Sequence, residues 1–256
     1  MLGQHDIAPL ASSEAGFTLL EVLVATMTAL LITFAAFGLL QLVSEQSARS
    51  TDYLQATQLG NNAMAHVLDE LHSACYAYDE SPVVEKSSPT TLFFETAYSS
   101  ESEPKASQVQ LHELNWEQET KKGSQKIQTG KLVDHIWTAT SGTYPSYSFN
   151  TTATPKRVVI GEHIAEEPEG GAIFTYYKYG TEAKQSSETT LGSFTALAGT
   201  LSAAEAEKAA SVVVSFRQMP YDNSEASGRS VALKSQAVFS FAATIAEPTI
   251  VDQPCQ

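Results

Sequence analysis

The feature that most constrains this chain is a long apolar run, from Val22 to Val43, that contains no charged residue. As an α-helix its 22 residues extend about 33 Å, at about 1.5 Å per residue, and a bilayer core is about 30 Å thick. Glu21 lies immediately before the run, and a carboxylate inside a membrane-length segment is costly and commonly marks function. The rest of the chain is long enough for one domain with a core of its own.

Other kinds of N-terminal segment fit this run less well. A secretory signal peptide begins with basic residues, whereas residues 1–16 contain no Lys or Arg. Cleavage as a signal peptide would fall near Ala35 and Ala36, deep inside the run. An ordinary uncleaved signal anchor is the remaining alternative, with Glu21 at the lipid headgroups, where its charge costs little.

A short motif leads into the apolar run. It reads Gly16-Phe17-Thr18-Leu19-Leu20-Glu21. With the run that follows, the motif resembles the processing site of type IV pilins and of the pseudopilins of type II secretion. The resemblance implies cleavage between Gly16 and Phe17 by a prepilin peptidase, then N-methylation of Phe17. It also implies filament assembly through Thr18 and Glu21, with the Glu21 carboxylate pairing with the N-terminal amine of a neighbouring subunit.

The sequence departs from the family pattern at two places. Leaders of this kind usually carry Lys or Arg before the glycine, and here none is present, so the positive-inside rule does not support a cytoplasmic N-terminus. Many major pilins have proline where this chain has Gly38. Glycine weakens a helix interior by about 1 kcal/mol, so Gly38 is expected either to give the helix flexibility during assembly or to admit a closely packed neighbouring helix.

Helical periodicity continues beyond the membrane-length run. The recurring residues are Leu54, Gln58, Asn61, Met64, Leu68, Leu71 and Cys75. Their spacing of three and four predicts one face buried against a sheet. We therefore expect a single helix from Phe17 to about Tyr78. Its membrane and assembly half is residues 17–43, and its amphipathic half, called here the stem, is residues 44–78. A leader of residues 1–16 precedes it.

Strand and turn signals dominate the remaining sequence, which predicts an α+β fold with the long helix packed on an antiparallel β-sheet. We expect a head over residues 79–246 and a tail over residues 247–256. Predicted strands are Thr90–Tyr98, Val109–Trp116, Lys126–Gln128, Lys131–Trp137, Arg157–Ile160, Ala172–Tyr179, Ser211–Met219 and Ser230–Thr244. Thr138–Thr154 is interpreted as a loop. Ser202 and Glu205 form a capping-box pattern that starts a short helix reaching about Ala210. The order of these elements resembles J-type minor pseudopilins and W-type minor pilins.

Few residues suggest other chemistry. Cys75 and Cys255 either form a disulfide or stay free thiols, and no cysteine or histidine spacing typical of zinc occurs. Asp222, Asn223 and Glu225 offer oxygen ligands suited to calcium, although a polar hairpin loop has the same composition. The six histidines are scattered and are interpreted as surface or packing residues. No motif for a nucleotide, a cofactor or catalysis is found, so we expect neither a cofactor nor an enzyme.

The sequence thus favours a minor pilin or pseudopilin subunit that is stored in the cytoplasmic membrane as a single-pass protein, with its head outside the cytoplasm. Other subunits would then draw it into an extracellular or periplasmic filament, where we expect a tip-associated position. A net charge of -14 makes direct binding to nucleic acid an unfavourable function. The alternative is an anchored extracellular binding or enzyme domain that uses the helix only as a tether.

Overall fold

The computed structural model describes residues 18–74, 81–97, 105–119, 127–143, 146–167, 171–179, 194–221 and 229–239. The chain divides into two compact units, residues 1–49 and residues 50–256. Helix α1 is Leu19–Ser73, and α2 is Ala203–Ala206. The strands are β1 (Thr91–Ala97), β2 (Val109–Gln118), β3 (Gly130–Thr143), β4 (Ser146–Phe149), β5 (Lys156–Glu166), β6 (Phe174–Tyr179), β7 (Phe194–Leu197), β8 (Ala209–Gln218) and β9 (Val231–Val238).

Helix α1 confirms the expectation of one long helix, with somewhat different ends. It has 55 residues and begins at Leu19 rather than Phe17. It ends at Ser73, five residues before the predicted end at Tyr78, and Ala74 is already outside the helix while its side chain is buried in the core. The helical periodicity of the sequence does not show this earlier end.

The described strands form an antiparallel sheet in which the spatial order differs from the order along the chain. Together with the long helix, this sheet confirms the predicted α+β fold. Along the sheet the order is β1, β2, β3, β5, β8, β6 and β7, with β4 paired to β3 and β9 paired to β8. The first three strands are the expected meander, in which Phe94 lies opposite His112 and His112 lies opposite Ile136. The last two strands are the expected terminal hairpin, with Val214 opposite Ser235.

The core of the second unit lies between the sheet and the stem part of α1. Its members on α1 are Ala63, Met64, Val67 and Leu71, and they pack with sheet residues that include Leu92, Leu114, Trp116, Leu132 and Phe216. The approach is close at Gly60, where an added Cβ would lie 2.2 Å from Leu233 Cδ1 and 3.0 Å from Gln218 Cβ. Small side chains on α1 therefore set the distance between helix and sheet.

The predicted buried face of the stem is wrong in its first half. Met64, Val67 and Leu71 are buried, but Leu54 is 58% exposed, and Gln58 and Asn61 are exposed as well. The buried positions there are Ala56, Gly60 and Ala63. The sheet packs on small residues because they allow close approach, and spacing rules that count only large apolar residues miss them.

Three further expectations are corrected, and one strand was missed. The predicted strand Lys126–Gln128 is wrong, because its described residues, Ile127 and Gln128, lie outside the strands. The predicted loop over Thr138–Thr154 contains the end of β3 and all of β4, because hydroxyl-bearing and aromatic residues pair well in strands; Ala139 lies opposite Phe149. Strand β7 was not predicted. Helix α2 shows the expected contacts of its capping box, with the Glu205 carboxylate accepting from the Ser202 backbone N–H at 2.9 Å, but it ends at Ala206 because β8 begins at Ala209.

Candidate functional site

The first turn of α1 begins at Thr18, the first described residue. The Glu21 backbone N–H lies 3.3 Å from Thr18 Oγ1 and 3.0 Å from the Thr18 carbonyl oxygen, and the Val22 N–H donates to the same carbonyl at 3.2 Å. Thr18 thus satisfies N–H groups that have no partner within the helix. Glu21 carries its charge in the first turn, where the helix dipole favours a carboxylate.

This capping role was missed by the sequence interpretation, which assigned Thr18 and Glu21 only to filament assembly. The signal was present, because Thr followed three residues later by Glu is a capping-box pattern. Capping and assembly are compatible roles, since the cap uses the Glu21 backbone N–H and leaves its carboxylate exposed. The assembly role of both residues stays a prediction.

The apolar part of α1 is exposed along its whole length. Large side chains such as Leu31, Phe34 and Leu40 are 66–74% exposed. The threonine hydroxyls in this part donate to the helix's own carbonyls: Thr28 to Ala25 at 2.9 Å and Thr33 to Ala29 at 2.7 Å. These hydroxyls therefore need no water, which suits them to lipid. Among the described residues, α1 is the one helix long and apolar enough to cross a membrane.

Gly38 lies within the regular part of α1, and the helix passes through it without a break. A Cβ added at Gly38 would meet nothing within 4 Å. No neighbour among the described residues therefore requires a glycine here. The two interpretations of Gly38, flexibility during assembly and contact with another helix, both stay predictions.

Several predicted site residues lie outside the described part of the chain. These are Gly16, Phe17, Cys75, Cys255, Asp222, Asn223 and Glu225. The cleavage site, the cysteine pairing and the calcium loop accordingly stay predictions. Within the described residues, no group of three or more His, Cys, Asp and Glu side chains is arranged to hold a metal ion.

A chain of hydrogen bonds inside the sheet was not predicted. His112 on β2 has its Nδ1 atom 2.8 Å from Asp134 Oδ2 on β3 and its Nε2 atom 3.2 Å from Thr96 Oγ1 on β1. The His112 ring also stacks on Phe94, with ring centroids 4.9 Å apart. Strand alternation predicts the burial, because His112 falls on the same face of β2 as Leu114 and Trp116.

These three side chains have the order of a hydroxyl, an imidazole and a carboxylate that hydrolases use for nucleophilic catalysis. Each of them is at most 1% exposed, so a dissolved substrate has no contact with Thr96 Oγ1. Asp134 Oδ1 has no hydrogen-bond partner among the described residues. The arrangement is therefore a buried polar network that fixes three strands to one another.

The opposite face of the same strands carries alternating charges. His135 lies between Glu113 and Glu117, with nitrogen to oxygen distances of 3.5 and 3.6 Å. Burial raises the pKa of Glu113, while the neighbouring His135 counteracts this. At the edge of this charged face, the Lys131 ammonium donates to Glu162 at 2.5 Å, and this hydrogen bond lowers the pKa of the Glu162 carboxyl. The Lys131–Glu162 pair is partly exposed, and pairs of this kind contribute little to stability.

Comparison of this chain with protein-family models, with curated proteins and with solved structures finds no match. The geometry above and the N-terminal motif therefore carry the functional argument.

Proposed function

We propose that this protein is a minor subunit of a type IV pilus or of a type II secretion filament. In this proposal a prepilin peptidase cleaves after Gly16, Phe17 becomes the methylated N-terminus, and other subunits bind the apolar part of α1. The observation that carries the proposal is the motif from Gly16 to Glu21, which leads into a helix with an exposed apolar first part.

The structure supports this proposal in two ways. The Glu21 carboxylate lies in the first turn of α1 and is exposed, so a group from another subunit can reach it. The later part of α1 packs against an antiparallel sheet and so joins an apolar helix to a folded domain within one element. A subunit stored in a membrane and moved into a filament needs both parts.

Glu21 has a specific role in this proposal. An isolated carboxylate is costly among apolar helices, and so is an isolated N-terminal ammonium, whereas a pair of the two compensates. The Glu21 carboxylate of one subunit would pair with the Phe17 amine of its neighbour. Before assembly the protein would span the cytoplasmic membrane once, with its N-terminus in the cytoplasm.

Mass spectrometry of the protein from a host with prepilin peptidase tests the processing step. We expect a mature N-terminus at Phe17 that carries one methyl group. A terminus upstream of Phe17, or one near Ala36, would contradict the proposal and favour an anchored extracellular domain. Gly16→Val should abolish cleavage, because the resemblance places the scissile bond after Gly16, whereas Ala15→Val is the matched control and should be processed.

A further inference from the structure

An exposed turn of the head contains a sequence pattern that the proposed function does not use. Asn150-Thr151-Thr152 follows β4 and precedes β5, and it matches the pattern Asn-X-Ser/Thr with a residue other than proline at X. This pattern is the acceptor for N-linked glycosylation, in which a sugar is attached to the asparagine side chain. Because such a tripeptide is common in sequences, the surroundings of Asn150 decide whether it can serve as an acceptor.

The side chain of Asn150 is held by the hydroxyl residue that the pattern requires. Asn150 Oδ1 accepts a hydrogen bond from Thr152 Oγ1 at 2.6 Å, and the Thr152 backbone N–H donates to the same oxygen at 3.3 Å. The backbone forms a turn here, since the Ala153 N–H donates to the Asn150 carbonyl oxygen at 3.2 Å. Both side-chain hydrogen bonds use Oδ1, so they leave the amide nitrogen Nδ2, the atom to which a sugar is joined, free to react.

This turn is exposed and at the same time attached to the sheet. Each residue from Asn150 to Thr154 is exposed, and so are Ser146 and Ser148 on β4. The Trp137 side chain on β3 donates from Nε1 to the Ala153 carbonyl oxygen at 3.0 Å, which holds the turn in place. A bulky group on Asn150 can therefore extend into solvent without displacing a packed side chain.

The strands beside this turn lack the charges that hydrate the rest of the chain. Residues 136–155 contain no Asp, Glu, Lys, Arg or His, whereas the whole chain has 29 acidic residues and 15 Lys and Arg residues. Two aromatic side chains on β4, Tyr147 and Phe149, are only partly buried. Because a glycan is bulky and solubilising, a glycan on Asn150 would supply here the hydration that charged side chains supply elsewhere.

We propose that Asn150 is a site of N-linked glycosylation. The donor is a lipid-linked saccharide diphosphate. A bond forms between Asn150 Nδ2 and the anomeric carbon of the sugar, the bond from that carbon to the diphosphate oxygen breaks, and the lipid diphosphate leaves. The transferring enzyme takes the proton that Nδ2 loses.

This inference rests on the proposed function for one point, the location of the head outside the cytoplasm, since the pattern is an acceptor in surface loops of secreted proteins. It requires neither cleavage after Gly16 nor entry into a filament. The modification and the assembly of the subunit can therefore be tested separately.

Mass spectrometry of the full chain, purified from the membranes of its natural host and digested with trypsin, tests the proposal. Trypsin cleaves after Lys131 and Lys156, and no Lys or Arg lies between them, so Asn150 falls within the single peptide 132–156. We expect this peptide to carry a saccharide, and we expect fragmentation to place the saccharide on Asn150.

Substitutions at the two threonines distinguish a recognised acceptor from an unspecific modification. Thr152→Val removes the hydroxyl and keeps the size of the side chain, so the saccharide should be lost, whereas Thr152→Ser keeps the hydroxyl and should retain it. Thr151→Val is the matched control, because Thr151 is also exposed and the X position excludes only proline. Resistance of the head to proteolysis checks that each variant is folded.

An unmodified peptide from the natural protein would overturn the proposal. A saccharide on a Ser or Thr hydroxyl of the same peptide, or one that persists in Thr152→Val, would overturn it as well. The N-terminus read from the same sample reports on the proposed function: a terminus at Phe17 with an unmodified Asn150 contradicts only this inference. A glycosylated Asn150 with an uncleaved N-terminus contradicts only the proposed function.

Discussion

At the scale of single residues, burial gives His112 a role that its sequence context does not reveal. It lies between a hydroxyl and a carboxylate that come from two neighbouring strands, and it stacks on Phe94. Histidine is compatible with an inward position here because both ring nitrogens have partners, and an unpaired buried polar group would cost about 1–3 kcal/mol. The network therefore depends on all three side chains being present together.

Removing His112 alone should be strongly destabilising. His112→Leu leaves the Asp134 carboxyl buried without a partner, and breaking a buried pair in this way costs about 3–5 kcal/mol. The double variant His112→Leu/Asp134→Leu should recover much of that loss, since apolar side chains then replace the whole pair. Denaturant unfolding of the head, followed by near-ultraviolet circular dichroism in detergent, measures these free energies.

Thr96→Val is the control for this pair, because it keeps the shape of the side chain and removes one hydrogen bond, at an expected cost of about 1 kcal/mol. If the unfolding free energy lost in His112→Leu/Asp134→Leu equals the sum of the losses in the two single variants, the network is not coupled and the prediction is contradicted.

At the scale of secondary structure elements, two glycines on the same helix have different surroundings. Gly60 faces the sheet, with Leu233 and Gln218 against it, whereas no described residue lies within 4 Å of a Cβ added at Gly38. The end of the Leu233 side chain can rotate away, but Gln218 is almost fully buried and its Cβ is fixed to strand β8. The distance between helix and sheet therefore depends on Gly60 and not on Gly38.

Gly60→Val should destabilise the head by about 1–3 kcal/mol, which is the usual cost of overpacking a core. Gly38→Val introduces the same side chain on the same helix and should leave the unfolding of the head unchanged. Thermal unfolding of both variants in detergent compares them directly. Equal destabilisation by the two substitutions would show that helix propensity, rather than packing against β8 and β9, is responsible.

At the scale of the whole molecule, one helix serves two environments. Its first part exposes apolar side chains, and its later part is packed under the sheet. In the proposed filament subunit, Glu21 is the charged group at the start of the membrane-length run, and its partner would come from a second chain. Assembly, rather than folding, should therefore be sensitive to Glu21.

Glu21→Ala should be cleaved after Gly16 nearly as well as the natural chain but should be depleted from purified filaments, because the buried N-terminal amine of a neighbour loses its partner. Immunoblots of membrane and filament fractions measure both steps. Glu45→Ala is the matched control, since Glu45 is an exposed acid on the same helix. Filament levels of the Glu21 variant equal to those of the control would contradict the pairing.

Patterns within single elements allowed most of the fold to be predicted. The meander of β1 to β3, the hairpin of β8 and β9 and the capping box at Ser202 all follow from alternation and local side-chain chemistry. The side of the stem that is buried against the sheet was predicted wrongly in its first half, because Leu54 is exposed and Gly60 is buried. Polar strands such as β4 were missed because their composition is also typical of loops.

The sequence by itself determined the membrane-length helix, the motif before it and the α+β class, because each depends on residues that are close together along the chain. Only the tertiary structure decided which side of the stem meets the sheet and which side, with Leu54 and Asn61, stays exposed. It alone also brought Thr96, His112 and Asp134 together from three strands. Contacts of this kind depend on strand register and on the distance between layers, which local periodicity does not encode.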